Sequence, residues 1–117
     1  MMNDINQFLC DGVVEITMYF KDDNKITIGY LLEYDFNFSK INNSYVSFRT
    51  ALANKELIDK FCEDDYITCL HIESKYTFDN NTTTIDVPCD MRIKSLRTNG
   101  DMEHLTEMYV QLEGVVK

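Results

Sequence analysis

Apolar and polar residues alternate along most of this chain. From Ile26 to Phe38 every even position is apolar or aromatic (Ile26, Ile28, Tyr30, Leu32, Tyr34, Phe36, Phe38), with Thr27, Gly29, Leu31, Glu33, Asp35 and Asn37 between them. Side chains alternate faces along a strand, so this run predicts one long strand with a greasy face and a mostly wet one. Val13 to Phe20 predicts the strand before it, with Val14, Ile16, Met18 and Phe20 on one face. The polar stretch Lys21–Lys25 reads as a hairpin loop. Placing Phe20 opposite Ile26 brings Met18 to Ile28, Ile16 to Tyr30 and Val14 to Leu32, and a one-residue slip would separate the two apolar faces. A turn at Ser39–Asn43 leads into a third strand, Ser44 to Thr50. Phe38 opposite Ser44 then sets Phe36 against Val46, Tyr34 against Phe48 and, on the other face, Glu33 against Arg49.

The spacing becomes helical from Ala51 to Cys62. Asn54 is a candidate cap, and Ala53, Leu57, Ile58, Phe61 and Cys62 form the stripe. The acids Glu63–Asp65 are unfavourable at a helix C-terminus and place its end near Cys62. Two further helices are predicted, one capped by Asp4 and carrying Ile5, Phe8 and Leu9 up to Gly12. The other is capped by Asp101 and carries Met102, Leu105, Tyr109, Leu112 and Val116. Tyr66 to Phe78 predicts a strand with Thr68, Leu70, Ile72, Tyr76 and Phe78 on its apolar side. A tight turn at Asp79–Thr82 would return the chain as Thr83 to Ile93, setting Phe78 on Thr83, Tyr76 on Ile85, Ile72 on Cys89 and Leu70 on Met91. Pro88 lacks an N–H donor and argues for an edge or a bulge. Lys94 to Gly100 reads as a polar connector.

The resulting order, α-β-β-β-α-β-β-α, predicts one α+β domain over residues 1–117: a two-layer fold with an antiparallel sheet of about five strands and helices packed on one face. The opposite face, with Glu15, Thr17, Tyr19, Thr27, Glu33, Asp35, Ser47 and Arg49, is then wet or binds something. Tyr19, Leu31 and Tyr45 are the apolar candidates on it.

Charge narrows the function classes. Twenty acids face eleven bases, a net charge of −9. Such a surface repels phosphate backbones and speeds encounter with a basic protein. Arg92, Lys94 and Arg97 form the basic cluster, too small for a nucleic-acid site. There is no apolar run of membrane length, and Met1–Cys10 lacks the basic start and apolar core of a signal peptide, so a cytoplasmic location is expected. Cys10, Cys62, Cys69 and Cys89 show no close pairing, which argues for reduced thiols, with Cys62 and Cys89 in the core, over zinc ligands. No nucleophile elbow, phosphate loop or His-Glu-x-x-His motif is present. His71, beside Glu73 on the polar side of its strand, and His104, between Glu103 and Glu107, are the candidates for acid–base work, and both read as surface residues.

No cofactor, metal or catalytic residue is therefore expected. The sequence points to a non-catalytic acidic protein-binding domain, an inhibitor in the manner of a toxin-neutralising immunity protein, whose partner is a basic toxin nuclease domain or effector. Its expected contacts are the run Glu63, Asp64, Asp65 and Tyr66, the pair Asp22 and Asp23, and the face of Glu15, Glu33 and Asp35. In element order, size and acidity the chain also resembles the small dimeric chaperones of type III secretion. That resemblance implies a homodimer formed through the sheet or last helix, with effector segments wrapped outside, although Met2–Cys10 is short for the opening helix of those proteins. A viral anti-defence protein that mimics nucleic-acid charge is a further alternative, and an enzyme built on the histidines or cysteines another.

Overall fold

Gly29 and Tyr30 break the long Ile26–Phe38 strand in two. The computed structural model describes residues 12–51, 53–76, 82–99 and 107–117. Within them the strands are β1 (Gly12–Phe20), β2 (Lys25–Ile28), β3 (Leu31–Asn37), β4 (Ser44–Thr50), β5 (Tyr66–Tyr76), β6 (Thr82–Asn99) and β7 (Glu107–Val116), with one helix, α1 (Lys55–Glu63), between β4 and β5. Tyr30 sits in the left-handed region, φ 60°, which no strand interior tolerates. A bulge between Leu31 and Glu33 then re-phases the chain. Leu31 turns inward, while Tyr30 and Leu32, assigned by alternation to the buried face, are exposed.

The strands form one antiparallel sheet in the order β2-β1-β5-β6-β7-β4-β3. Its outer members, β2 and β3, are joined by only Gly29 and Tyr30. Six spacings of about 4.8 Å would hold the edges of a flat seven-stranded sheet about 29 Å apart. Three Cα steps reach at most about 11 Å. The sheet must therefore curl until its edges meet, and β1 and β3 indeed approach within 8 Å, Cα to Cα, without pairing. The result is a barrel-like wrap with an open seam. Its apolar lining includes Ile16, Met18, Phe36, Leu70, Ile72, Met91 and Leu112, all at most 1 % exposed.

This overturns the two-layer α+β expectation. The segment predicted as a final helix is β7 from Glu107 onward, hydrogen-bonded between β6 and β4. Met108, Val110 and Leu112 alternate inward and Tyr109 outward. The Lys94–Gly100 connector is instead, up to Asn99, the second half of β6. A bulge at Ile93–Ser95 carries that strand past Lys94 to pair with β7. With these changes the order α-β-β-β-α-β-β-α no longer describes the chain, and the outline shared with type III secretion chaperones goes with it. The predicted helix before Gly12, the Asp101 cap, Met102, Leu105, His104 and the turn residues 79–81 lie outside the described residues.

Registers follow the expected faces more closely than the expected partners. β3 and β4 pair as predicted, with Glu33 opposite Arg49, Tyr34 opposite Phe48 and Phe36 opposite Val46. In the first hairpin Met18 faces Ile26 and Ile16 faces Ile28, two residues from the predicted pairing. The turn is tighter than expected: the Phe20 N–H donates to Asn24 O at 2.8 Å. Ile72 faces Ile85, not Cys89, and Leu70 faces Val87, not Met91. All these shifts are even, so each strand keeps its inner face. Thr68 is the exception. It is the extra residue where Tyr19 pairs with Cys69 and Phe20 with Ile67. Thr68 therefore points outward and Ile67 takes the buried place. Pro88 lies on a central strand but beside this irregularity, opposite Cys69, where its missing N–H is tolerated.

Helix α1 starts as predicted, with the Asn54 Oδ1 accepting from the Leu57 N–H at 2.9 Å. It ends on Asp64, whose left-handed backbone (φ 56°) lets its N–H reach Lys60 O and Phe61 O. Leu57 is fully buried, and Ala53, Ile58 and Phe61 pack beside it. Cys62 is exposed, contrary to expectation, whereas Cys89 is buried as expected. At about 100° per residue Cys62 lies well round the helix from Leu57, outside the narrow stripe that meets the sheet.

Candidate functional site

The β1–β2 turn and the end of α1 are some forty residues apart in sequence and meet at one end of the fold. Their meeting point is Lys60, whose stem is buried and whose amine lies 5.2 Å from the centre of the Phe20 ring. Its Nζ donates to Asp22 Oδ2 and, at 2.9 Å, to Asp65 Oδ2, with Glu63 Oε2 at 3.9 Å. The Lys21 N–H also donates to Tyr66 O at 2.9 Å, which fixes the start of β5 against the same turn. Asp22, Asp23, Glu63, Asp64, Asp65 and Tyr66 thus form one patch, with Tyr66 45 % exposed. The hydrogen bond from Lys60 holds the Asp22 carboxyl below its ordinary value. Lys60 itself is pushed up, first by Asp22 and then by Asp65. Lys60 is shared among three of the five carboxylates, and Asp23 and Asp64 form no ion pair among the described residues.

Glu15, Glu33 and Asp35 are not part of that patch. Glu15 stands on the outer face of β1 opposite Glu73 of β5. Glu33 and Asp35 stand on the outer face of β3, at the other edge of the sheet, where they line a groove of about 420 Å³ with Ser47, Arg49, Ser95, Arg97, Tyr109 and Gln111. Arg49 is its hub: it donates to Glu107 at 2.9 Å and to Glu33 at 3.2 Å. The bond to Glu33 raises the Arg49 pKa further. The Tyr109 ring lies between two guanidinium groups, 6.0 Å from Arg49 and 5.3 Å from Arg97. Glu33 shares its groove with two guanidinium groups, Arg49 and Arg97, whereas the lobe around Asp22 and Glu63 is built on Lys60 and carries more acids.

His71 occupies the outer face, as its alternation predicts. Its Nδ1 is 2.6 Å from Asp86 Oδ1. Cys69 is two residues away on the same strand, but burial, followed by the Asp86 charge, pushes its thiol up, away from the thiolate that nucleophilic chemistry needs. Cys89 is pushed up to about 12 by burial. Among the described residues no group of three or more His, Cys, Asp or Glu could hold a metal ion. Nor is any helix among them long and apolar enough to cross a membrane. Of the outer-face apolar candidates, Tyr19 and Tyr45 are exposed, and Leu31 is buried by the bulge beside it.

Sequence reasoning missed Lys60, Asp86 and Tyr109. A basic residue in the last turn of an otherwise acidic helix end was the signal for Lys60. Tyr109 was placed on the wrong face because β7 was read as a helix, and Asp86 has no local signature. No protein-family model matches the chain, and no curated protein matches it either.

Proposed function

We propose that this protein is a non-catalytic acidic binding domain that neutralises a basic protein, in the manner of an immunity protein against a toxin nuclease. One observation carries the reading: Asp22 and Asp23 are drawn onto the same end of the fold as Glu63, Asp64, Asp65 and the exposed Tyr66. The net charge of −9 extends the field of that patch into solvent. A rigid acidic lobe with an aromatic anchor suits fast capture of a cationic surface. Lys60 holds Asp22 and Asp65 in place before any partner arrives, which lowers the ordering required on binding.

The test neutralises Asp23 and Asp64, which Lys60 does not hold, together with Glu63, the most distant of its partners at 3.9 Å. Asp23→Asn, Glu63→Gln and Asp64→Asn combined keep side-chain size, and Asn tolerates the left-handed backbone of both aspartates. Tagged wild type and variant are used side by side to capture partners from native lysate, read by mass spectrometry and light-scattering mass. A stoichiometric basic protein retained by the wild type and lost by the variant is the expected result. A partner held equally by both, or an acidic one, removes the assignment.

A further inference from the structure

Beside the acidic lobe, the bulge at Thr68 opens the outer face of the sheet. Thr68 and Cys69 both point outward there, and Thr68 Oγ1 donates to Tyr19 O at 3.3 Å. The space left is a pocket of about 390 Å³ lined by Tyr19, Phe20, Asp23, Thr68, Cys69 and Asp86. Bulges commonly re-aim side chains next to binding sites. Resting on the reading above, we infer that this pocket receives one arginine side chain of the basic partner.

Three features favour a guanidinium. The Tyr19 ring is 38 % exposed and offers an aromatic wall. Asp23, from the β1–β2 turn, and Asp86, from β6, both line it, and no lysine or arginine among the described residues pairs with either. Asp86 is positioned by His71 through one oxygen, and its second oxygen is left to accept. Lys25, opposite Tyr19 across the hairpin, and Lys21, in the turn with Asp23, form no ion pair with either acid. The protein already shows the same combination within itself, where the Arg49 guanidinium stands over Tyr109 and binds Glu107 and Glu33. Lysine fits less well at an open site, because its ammonium is a strongly hydrated point charge and lacks the planar fork that lies flat on a ring and meets a carboxylate with two parallel N–H groups. Where an ammonium does sit over a ring and between two carboxylates here, at Lys60, its stem is buried in the protein.

The experiment titrates the full chain with hexa-arginine and hexa-lysine peptides at an ionic strength of about 0.15 M, followed by amide chemical shifts. Wild type, Asp86→Asn and Tyr19→Leu are compared, the undisturbed remainder of each spectrum showing that the variant is folded. Hexa-arginine is expected to shift Thr68, Cys69 and Asp86 and to bind Asp86→Asn about tenfold more weakly, with hexa-lysine weaker on the wild type. Shifts confined to Glu63–Asp65, with Asp86→Asn unchanged, overturn the arginine pocket and leave the acidic-lobe reading standing. Equal binding of the two peptides overturns the choice of arginine. Absence of binding to either peptide removes both readings.

Discussion

Lys60 Nζ lies 2.9 Å from Asp65 Oδ2 while also donating to Asp22, so one amine ties the end of α1 to the β1–β2 turn. Asp22 has no part in the core, yet its ionisation is linked to folding. Its carboxyl lies below the ordinary 3.8 in the folded protein, mainly through the hydrogen bond from Lys60. Above that value both folded and unfolded chains are ionised, and the full stabilisation is present. As pH falls below 3.8 the unfolded chain takes up the proton first, and stability is lost until the folded pKa is passed. Thermal melts of wild type and Asp22→Asn should therefore differ most near neutral pH and converge in acid. Parallel acid limbs would show that Asp22 carries no such linkage.

Gly114 gives a test in which the two readings of the C-terminal segment predict opposite signs. In a helix, Gly→Ala would stabilise by about 1 kcal/mol. In β7 a Cβ at this position would overlap the Asp90 carbonyl and come within 2.6 Å of Met91 Cα, both backbone atoms of β6. Backbone cannot give way as a flexible side chain can. Gly114→Ala should thus destabilise by about 2–3 kcal/mol, read from denaturant midpoints at unchanged m-value.

The same segment shows what was legible in the sequence. Inner and outer faces of β1, β4 and most of β6 could be read from alternation, and the β3–β4 register from pairing Phe36 with Val46. The Asn54 cap was equally visible. Over Glu107–Val116, however, the apolar residues fit both periods: Tyr109, Leu112 and Val116 recur at helical spacing, Met108, Val110 and Leu112 at strand spacing. Gly114 and the valines were the deciding signal. The break at Gly29–Tyr30 was hidden because the apolar alternation continues through it, and only the closure of the curled sheet requires a turn there. For the site, the acidic runs could be read as candidates, but their convergence on Lys60 is tertiary and has no local trace. Nothing local separates Glu33 and Asp35 from Asp22 and Asp23 as acids; the structure does, since the first two line a groove with Arg49 and Arg97 and Asp22 meets Lys60.

Cysteine reactivity should follow exposure. Cys62, on the outer side of α1, should be alkylated rapidly in the native protein at mildly alkaline pH. Cys89 is fully buried with its thiol pushed up to about 12, so it should react only on unfolding. Peptide mapping after a short pulse of alkylating reagent reads both sites. Native labelling of Cys89 at a rate similar to Cys62 would contradict its place in the barrel interior.

Tyr30 holds the point where the two sheet edges are joined, and it does so in a conformation that suits it poorly. Its φ of 60° brings Cβ against the following carbonyl, a strain of roughly 1–2 kcal/mol that glycine does not feel. Its side chain is 59 % exposed, so truncation removes little packing. Glycine also loses more chain entropy on folding, which offsets part of the gain. Tyr30→Gly should accordingly stabilise the protein by about 0.5–1 kcal/mol, whereas Tyr30→Val, β-branched in the same backbone, should destabilise it. Chemical denaturation of the two variants checks the order. If valine proved as stable as glycine, the left-handed link would not be the joint that closes the sheet.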